Sequence, residues 1–215
     1  MVIRGAFVAV VALGCGSLAS GQPLPGPALV KALRDGGYVL VMRHAHAPDA
    51  PPSPQDADPG NTTGERQLDA AGQSAARAMG AALRALQLPI GAVWSSPTYR
   101  ARQTARLAGL PKPKIAEQLG DNGHSMQAAA SDRADWLRAL ADRRPRTGTD
   151  TVVVTQYPNI KAAFGEEAAE MKDGEALVLR PARSGPRLVA RVTMDRWPQL
   201  AARSEAGVTD TRAKP

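Results

Sequence analysis

Cysteine is nearly absent from this chain of 215 residues: the single one, Cys15, lies in the apolar N-terminal segment. We predict below that this segment is removed. The mature chain would then contain no cysteine, which excludes both a disulfide-stabilised fold and thiol catalysis.

Aromatic residues are also scarce, at 4% of the chain. Hydrophobic residues nevertheless make up 43%, so a core can be buried, and it must consist mostly of alanine, leucine and valine. The length suits one ordinary domain.

Long basic runs are missing, although the formal net charge is +7. No run of lysine and arginine reaches five residues, and basic residues do not alternate with aromatic ones in the way that base-stacking proteins require. The composition therefore argues against a nucleic-acid partner and indicates a basic, soluble surface that also attracts anionic substrates.

Residues 1–21 have the features of a secretory signal peptide. Arg4 supplies a short positive region, and the apolar run Ala6–Gly16 is too short to span a bilayer. Small residues that suit signal peptidase follow at Ser17–Gly21. We expect a periplasmic or secreted protein with no stable membrane insertion after cleavage. Lipid anchoring through Cys15 is the less favoured alternative, because Ala12–Cys15 is an imperfect lipoprotein motif.

The remaining sequence predicts one domain over residues 22–202 and a disordered polar tail over 203–215. Runs of apolar residues predict strands, helical spacing predicts helices, and proline-rich stretches predict loops. The predicted strands are 38–42, 92–95, 151–154, 175–179 and 188–192. The predicted helices are 29–34, 69–86, 98–108, 132–141 and 159–169, with a long loop at 48–61 and irregular chain at 111–130.

Alternation of strands and helices predicts an α/β fold, a three-layer α/β/α sandwich with a mostly parallel central sheet. Ligands of such sheets bind beyond the carboxyl ends of the strands. Three segments follow strands and become candidates for a site: Arg43-His44, Ser95–Arg100 and Thr155–Asn159.

The residue types in these segments suit phosphate chemistry. Arg43 and Arg100 carry planar, permanently charged donors that match phosphate oxygens. A neutral His44 beside them can attack phosphorus and form a phosphohistidine, and the arginines would stabilise charge on the oxygens. A nearby carboxylic acid would protonate the leaving oxygen and then activate water.

Two motifs in this order resemble those of the histidine phosphatase superfamily, which has the phosphoglycerate-mutase-like fold. Arg43-His44-Ala45 is similar to the Arg-His-Gly of that family. Ser95–Ala105 matches its Ser-Ser-x-x-x-Arg-x-x-Gln-Thr-Ala at every fixed position, and Gly64–Gly72 resembles the segment before its first long helix. The resemblance extends over roughly Gly37–Val192.

The resemblance implies that His44 is the phosphate-accepting nucleophile and that Arg43 and Arg100 bind the phosphate. Because the acid/base residue varies in the family, Glu117 is our first candidate and Asp121 the second. The resemblance implies no cofactor, and the spacing of the three histidines does not resemble a metal site.

The chain departs from the family at the third strand. The family has a second histidine there, but this chain has Gln156, in Thr155-Gln156-Tyr157-Pro158-Asn159. Glutamine can donate a hydrogen bond to a phosphate oxygen but cannot carry the charge of an imidazolium. Losing one stabiliser of the transition state can lower a rate by roughly 10²–10³. An alternative is that His124 moves into the pocket as a replacement, although a surface turn is the simpler interpretation of its sequence.

Two functions follow from this pattern. The first is a phosphomonoester hydrolase of reduced efficiency that acts on a phosphorylated small molecule or phosphoprotein. The second is a pseudophosphatase that binds a phosphorylated ligand or protein without hydrolysing it, which Gln156 favours. Mutase activity is disfavoured for an exported protein, and the oligomeric state is not defined by the sequence.

Overall fold

The computed structural model describes residues 24–121 and 130–212, with side chains up to Ser204. The predicted signal peptide, Cys15 and His124 therefore lie outside the described residues. The strands are β1 (Val39–Arg43), β2 (Ile90–Ser95), β3 (Lys114–Ile115), β4 (Asp150–Thr155), β5 (Ala176–Arg180) and β6 (Arg187–Val192). The helices are α1 (Gly26–Asp35), α2 (Ala70–Ala85), α3 (Tyr99–Leu107), α4 (Ala130–Ala141), α5 (Tyr157–Phe164) and α6 (Arg196–Arg212).

The six strands form one mixed sheet in the order β3-β2-β4-β1-β5-β6. The four strands from β3 to β1 are parallel, whereas β5 and β6 join the β1 edge in antiparallel orientation. The α/β class and the mostly parallel sheet predicted from the sequence are confirmed. The two-residue strand β3 lies in the stretch predicted to be irregular, since its length gives no periodic signal.

Strand β1 shows why the apolar run is continuous rather than alternating. Leu40 and Met42 pack into a core with α1, α2, α3 and α6, while Val39 and Val41 face the opposite core with α4 and α5. A strand covered on both faces requires apolar residues at consecutive positions. The result is a sheet between two helical layers.

Helix α2 approaches its neighbours so closely that glycine is required at two positions. A Cβ at Gly72 would lie 2.1 Å from the carbonyl oxygen of His46, and one at Gly80 would lie 1.9 Å from that of Ala108. Asp69 caps this helix as predicted, because its carboxylate accepts a 2.8 Å hydrogen bond from Gly72 N. The close approach holds the chain that follows β1 against the start of α2.

Helix α6 differs from the sequence prediction. The sequence predicts a disordered tail from residue 203, but the helix continues to Arg212. Its first turns are anchored by Trp197, which is 1% exposed, and by buried Leu200. Extending an anchored helix costs little compared with starting one, so the polar residues continue it.

The carboxyl ends of three neighbouring strands bring the candidate segments close together. Arg43 pairs in register with Thr155, and Ser95 pairs with Val154. The amide nitrogen of His44 donates to Thr155 O at 3.0 Å. The carboxyl ends of β2, β4 and β1 therefore meet at one edge of the sheet.

Candidate active site

A pocket of about 600 Å³ opens at this edge of the sheet. The three strand-end segments and Asp121, all named from the sequence, contribute to it, together with two residues that the sequence did not single out. The lining residues are Arg43, His44, Asp49, Arg66, Arg100, Asp121, Gln156, Tyr157, Pro158 and Asn159.

His44 is buried at the base of this pocket, with 4% of its surface exposed. Its Nδ1 lies 2.7 Å from the carbonyl oxygen of Ala45, which can only accept a hydrogen bond. Nδ1 must therefore carry the proton, and in the neutral ring Nε2 keeps its lone pair. That lone pair accepts a 3.1 Å hydrogen bond from Nε of Arg100.

The pKa of His44 is lowered from its usual 6.5 to about 3. Burial is the largest cause, the hydrogen bond to Ala45 opposes it, and the positive charges of Arg100, Arg43 and Arg66 add to the lowering. The imidazole is therefore neutral at neutral pH. A neutral ring that keeps its lone pair on Nε2 is the form that a nucleophile requires.

Arg43 reaches the pocket from the end of β1. Its guanidinium pairs with Asp173 at 2.7 Å, donates to Met171 O at 3.1 Å and lies over the ring of Tyr157 at 5.8 Å. These contacts orient the guanidinium while 28% of the side chain stays exposed.

Arg100 enters from the first turn of α3 and is 6% exposed. Besides the bond to His44, its Nη2 donates to Asp121 at 2.5 Å. Asp121 lines the pocket, whereas Glu117 does not: its side chain is exposed on the 3-10 turn Glu117–Leu119. Of the two candidates for the acid/base residue, the structure therefore brings Asp121 to the pocket and leaves Glu117, the first candidate, on a turn that faces solvent.

The other fixed residues of the Ser95–Ala105 motif hold the site together. Thr104 Oγ1 accepts from Ala45 N at 3.1 Å, which fixes the chain after His44. Gln103 accepts from Leu68 N at 2.7 Å, and Ser96 accepts from Thr98 N at 3.1 Å. These residues are buried, so their contribution is structural.

Gln156 lies at the end of β4 and is 3% exposed. Its Nε2 donates to Ser96 Oγ at 3.0 Å and to Thr98 Oγ1 at 2.7 Å, and its Oε1 accepts from Thr155 Oγ1 at 3.3 Å. Both amide donors are thus engaged by the β2–α3 connection. Asn159 donates to the carbonyls of Leu119 and Gly120 and thereby positions the chain that leads to Asp121.

Arg66 and Asp49 are pocket residues that our sequence analysis did not identify. The sequence analysis did single out the segments that contain them, since Asp49 lies in the long loop and Arg66 lies in the segment before α2. Neither follows a strand, so the strand-end rule did not select them. His46 is not among the lining residues, and its Nδ1 lies 2.9 Å from Asp69.

Three guanidinium groups around one neutral imidazole can hold an anion of phosphate size. Across residues 24–121 and 130–212, no group of three or more histidine, cysteine or acidic side chains could hold a metal ion. Within the same ranges, no helix is long and apolar enough to cross a membrane.

Several solved structures are similar to this chain. The protein histidine phosphatase SixA, complexed with tungstate, has a TM-score of 0.55 and 20% identity over 74% of this chain and 98% of its own. A putative phosphohistidine phosphatase SixA from Nakamurella multipartitia has a TM-score of 0.51 and 23% identity over 73% of this chain and 95% of its own. A phosphoserine phosphatase mutant from Entamoeba histolytica has a TM-score of 0.51 and 12% identity over 73% and 97%. These likenesses show the fold.

No curated protein sequence matches the chain significantly. The sequence profile of the Histidine phosphatase superfamily (branch 1), however, matches residues 39–150, which is just over half of the chain. The matched range contains Arg43, His44 and Arg100 and ends before Gln156. This chain belongs to the histidine phosphatase superfamily.

Proposed function

We propose that the protein is a phosphomonoester hydrolase that acts through a phosphohistidine on His44. The observation that carries this proposal is the state of His44: a buried, neutral imidazole whose Nε2 lone pair faces Arg100 inside the pocket. A buried structural histidine would have no need of three arginines beside it.

In the first step, the substrate phosphate binds to the guanidinium groups of Arg43 and Arg100. This releases the lone pair of His44 Nε2, which attacks phosphorus as the bond to the leaving oxygen breaks. Phosphate binding also loosens the contact between Arg100 and Asp121. Asp121 takes up a proton from solvent and gives it to the leaving oxygen as that oxygen departs.

In the second step, the Asp121 carboxylate accepts a proton from water, and the resulting hydroxide attacks the phosphoryl group. The bond between phosphorus and Nε2 breaks, and the electron pair returns to Nε2. Phosphate leaves, and His44 is again neutral. Arg43 and Arg100 stabilise charge on the phosphoryl oxygens in both steps.

Gln156 is the reason that we propose reduced efficiency. A neutral hydrogen bond contributes about 0.5–1.5 kcal/mol, whereas one from a charged group contributes about 1.5–3 kcal/mol. Its amide donors must also leave Ser96 and Thr98 before either can reach a phosphate oxygen. The same contacts support the second candidate, a pseudophosphatase that binds phosphorylated ligands without turnover.

Hydrolysis of para-nitrophenyl phosphate by wild type and His44→Ala tests the two candidates. An enzyme gives turnover that His44→Ala abolishes, together with an acid-labile phosphoryl group on His44 in rapidly quenched samples. A binding protein gives no turnover, yet phosphate still binds in calorimetry. Phosphate affinity that survives replacement of both Arg43 and Arg100 by glutamine would contradict the pocket assignment.

The substrate that we propose is a phosphorylated small molecule or a phosphoprotein. One structural relative is, by its name, a protein histidine phosphatase, which supports including phosphoproteins. The open pocket next to Tyr157 and Pro158 is compatible with both classes.

We also propose export to the periplasm or beyond, supported by the features of residues 1–21. N-terminal sequencing of protein recovered from the producing cell tests this. Cleavage near Gly21 is expected, while a chain that still begins at Met1 would contradict export.

A further inference from the structure

Arg66 lies in the pocket but has no part in the chemistry above. Its Nε donates to Pro48 O at 2.6 Å and its Nη2 donates to Ala47 O at 2.9 Å. The guanidinium is therefore held by two backbone carbonyls of the loop after β1. A side chain fixed in this way is already ordered before a ligand arrives, which lowers the entropic cost of binding.

Part of the donor capacity of Arg66 is unused. An arginine carries five N–H donors, and Nη1 accounts for two of them. Within residues 24–121 and 130–212, Nη1 has no protein acceptor. The guanidinium of Arg66 can thus bind an anionic ligand without breaking its bonds to the two backbone carbonyls of the loop.

The counter-charge of Arg66 is easily displaced. Its carboxylate partner is Asp49, at 3.1 Å, and the Asp49 side chain is fully exposed. By contrast, the partners of Arg43 and Arg100, which are Asp173 and Asp121, are each 29% exposed. An ion pair with a fully solvated carboxylate contributes little, so a ligand anion can replace Asp49 at small cost.

Arg66 lies near the reacting group but is held by a different segment. Its charge contributes to lowering the pKa of His44, and the pKa of Arg66 itself is lowered, first by burial and then by the charge of Arg100. Three cations therefore share one space, and Arg43 and Arg100 flank the position of the transferring phosphate. Like charges at this proximity favour a ligand that brings more than one negative group.

We infer that Arg66 and the loop Ala47–Asp49 form a second anion subsite, which binds a carboxylate or second phosphate of the same substrate. The ligand anion takes the place of the Asp49 carboxylate. This inference rests on the proposed function, because it assumes that the first phosphate lies beside His44. It narrows the substrate class to phosphomonoesters with a second negative group close to the phosphate.

Three esters test the subsite: phenyl phosphate, para-(carboxymethyl)phenyl phosphate and the corresponding para-(carbamoylmethyl) amide. The acid and the amide have nearly the same shape, and the methylene group isolates the leaving oxygen from the difference in charge. Binding is measured by calorimetry in full-length His44→Ala protein, where no ester is consumed. Arg66→Gln is compared with Arg77→Gln, a matched control on the exposed face of α2.

The acid should bind on the order of tenfold more tightly than the amide, as expected for one charge-assisted hydrogen bond. Arg66→Gln should abolish that preference and leave the affinities for the amide and phenyl phosphate within about twofold. Arg66→Lys should keep part of the preference, since it retains the charge, and Arg77→Gln should keep all of it.

Two results would overturn the subsite. One is equal binding of the acid and the amide by the His44→Ala protein. The other is a loss on Arg66→Gln that is the same for all three esters, which would mean that Arg66 holds the transferring phosphate or the fold. If no ester binds at all, the phosphate pocket itself is wrong, and that result is distinct from a missing preference.

Discussion

Nε of Arg100 donates a 3.1 Å hydrogen bond to Nε2 of His44. The arginine that we propose to bind phosphate thus covers the lone pair of the proposed nucleophile. Arg100 also holds Asp121 through Nη2. A phosphate that binds these two N–H groups of Arg100 would replace both contacts. One movement would thereby expose the nucleophile and release Asp121 from Arg100, which couples substrate binding to activation of the site.

The charge of Arg100 contributes to the low pKa of His44, after burial, which is the largest cause. Arg100→Gln should raise that pKa above about 3 but leave it below the usual 6.5, because the ring stays buried. The measurement is a titration of the imidazole resonances by NMR. Arg102→Gln, which changes a half-exposed side chain of the same helix, is the control. An unchanged pKa in Arg100→Gln would contradict the contact.

Replacing Gln156 by histidine tests how far the glutamine lowers the rate of hydrolysis. Gln156→His should raise kcat by about five- to tenfold, since a charged donor contributes roughly 1–1.5 kcal/mol more than a neutral one. Steady-state hydrolysis of para-nitrophenyl phosphate measures the effect. Gln156→Leu removes the amide without adding an imidazole and should not increase the rate. If Gln156→His is no faster than wild type, the position does not limit turnover.

Whether Asp121 or Glu117 is the acid can be tested by how the rate of each variant depends on the leaving group. In single-turnover measurements of the first step, Asp121→Asn should lower the rate by about 10²–10⁴ for an alkyl phosphate, whose leaving oxygen needs a proton. The loss should be much smaller for para-nitrophenyl phosphate, whose leaving group needs none. The first step is compared by itself because Asp121 also activates water in the second. Glu117→Gln is the matched control, because that side chain is exposed outside the pocket. An equal loss on both substrates would indicate that Asp121 only positions Arg100.

Asp150 predicts a pH dependence of stability at the opposite end of the sheet. It is fully buried, and burial raises the pKa of its carboxyl from 3.8 to about 7 against the hydrogen bonds from the amides of Tyr38 and Gly37. The native state therefore holds a proton that the unfolded state releases. The corresponding stability is fully present below about pH 4 and is lost as the pH rises through about 7.

Asp150→Asn keeps an acceptor for the amide of Tyr38 and removes the titration. The variant should be more stable than wild type above pH 7 by a few kcal/mol, and the difference should shrink toward pH 4. Urea unfolding across this range measures it. His44 acts in the opposite direction in both proteins, since its lowered pKa removes stability as the pH falls from about 6.5 toward 3. A difference that does not change with pH would contradict the buried, protonated carboxyl.

Local sequence was sufficient to predict which strand ends meet at the pocket. Val39–Arg43 could be identified as a doubly covered strand because burial on both faces requires consecutive apolar residues. Arg43, His44 and Arg100 could be placed together because parallel strands end at the same edge of a sheet. These inferences depend on patterns within a few residues and on one general rule of topology.

The tertiary structure alone decided which side chains complete the pocket. Asp121 rather than Glu117 reaches Arg100 because the 3-10 turn at Glu117–Leu119 and the bonds from Asn159 set the path of the chain. The place of Arg66 in the pocket and the direction of the Gln156 amide also depend on the tertiary structure. Such contacts join residues far apart in the chain, and their distances depend on how loops and helices pack around the sheet.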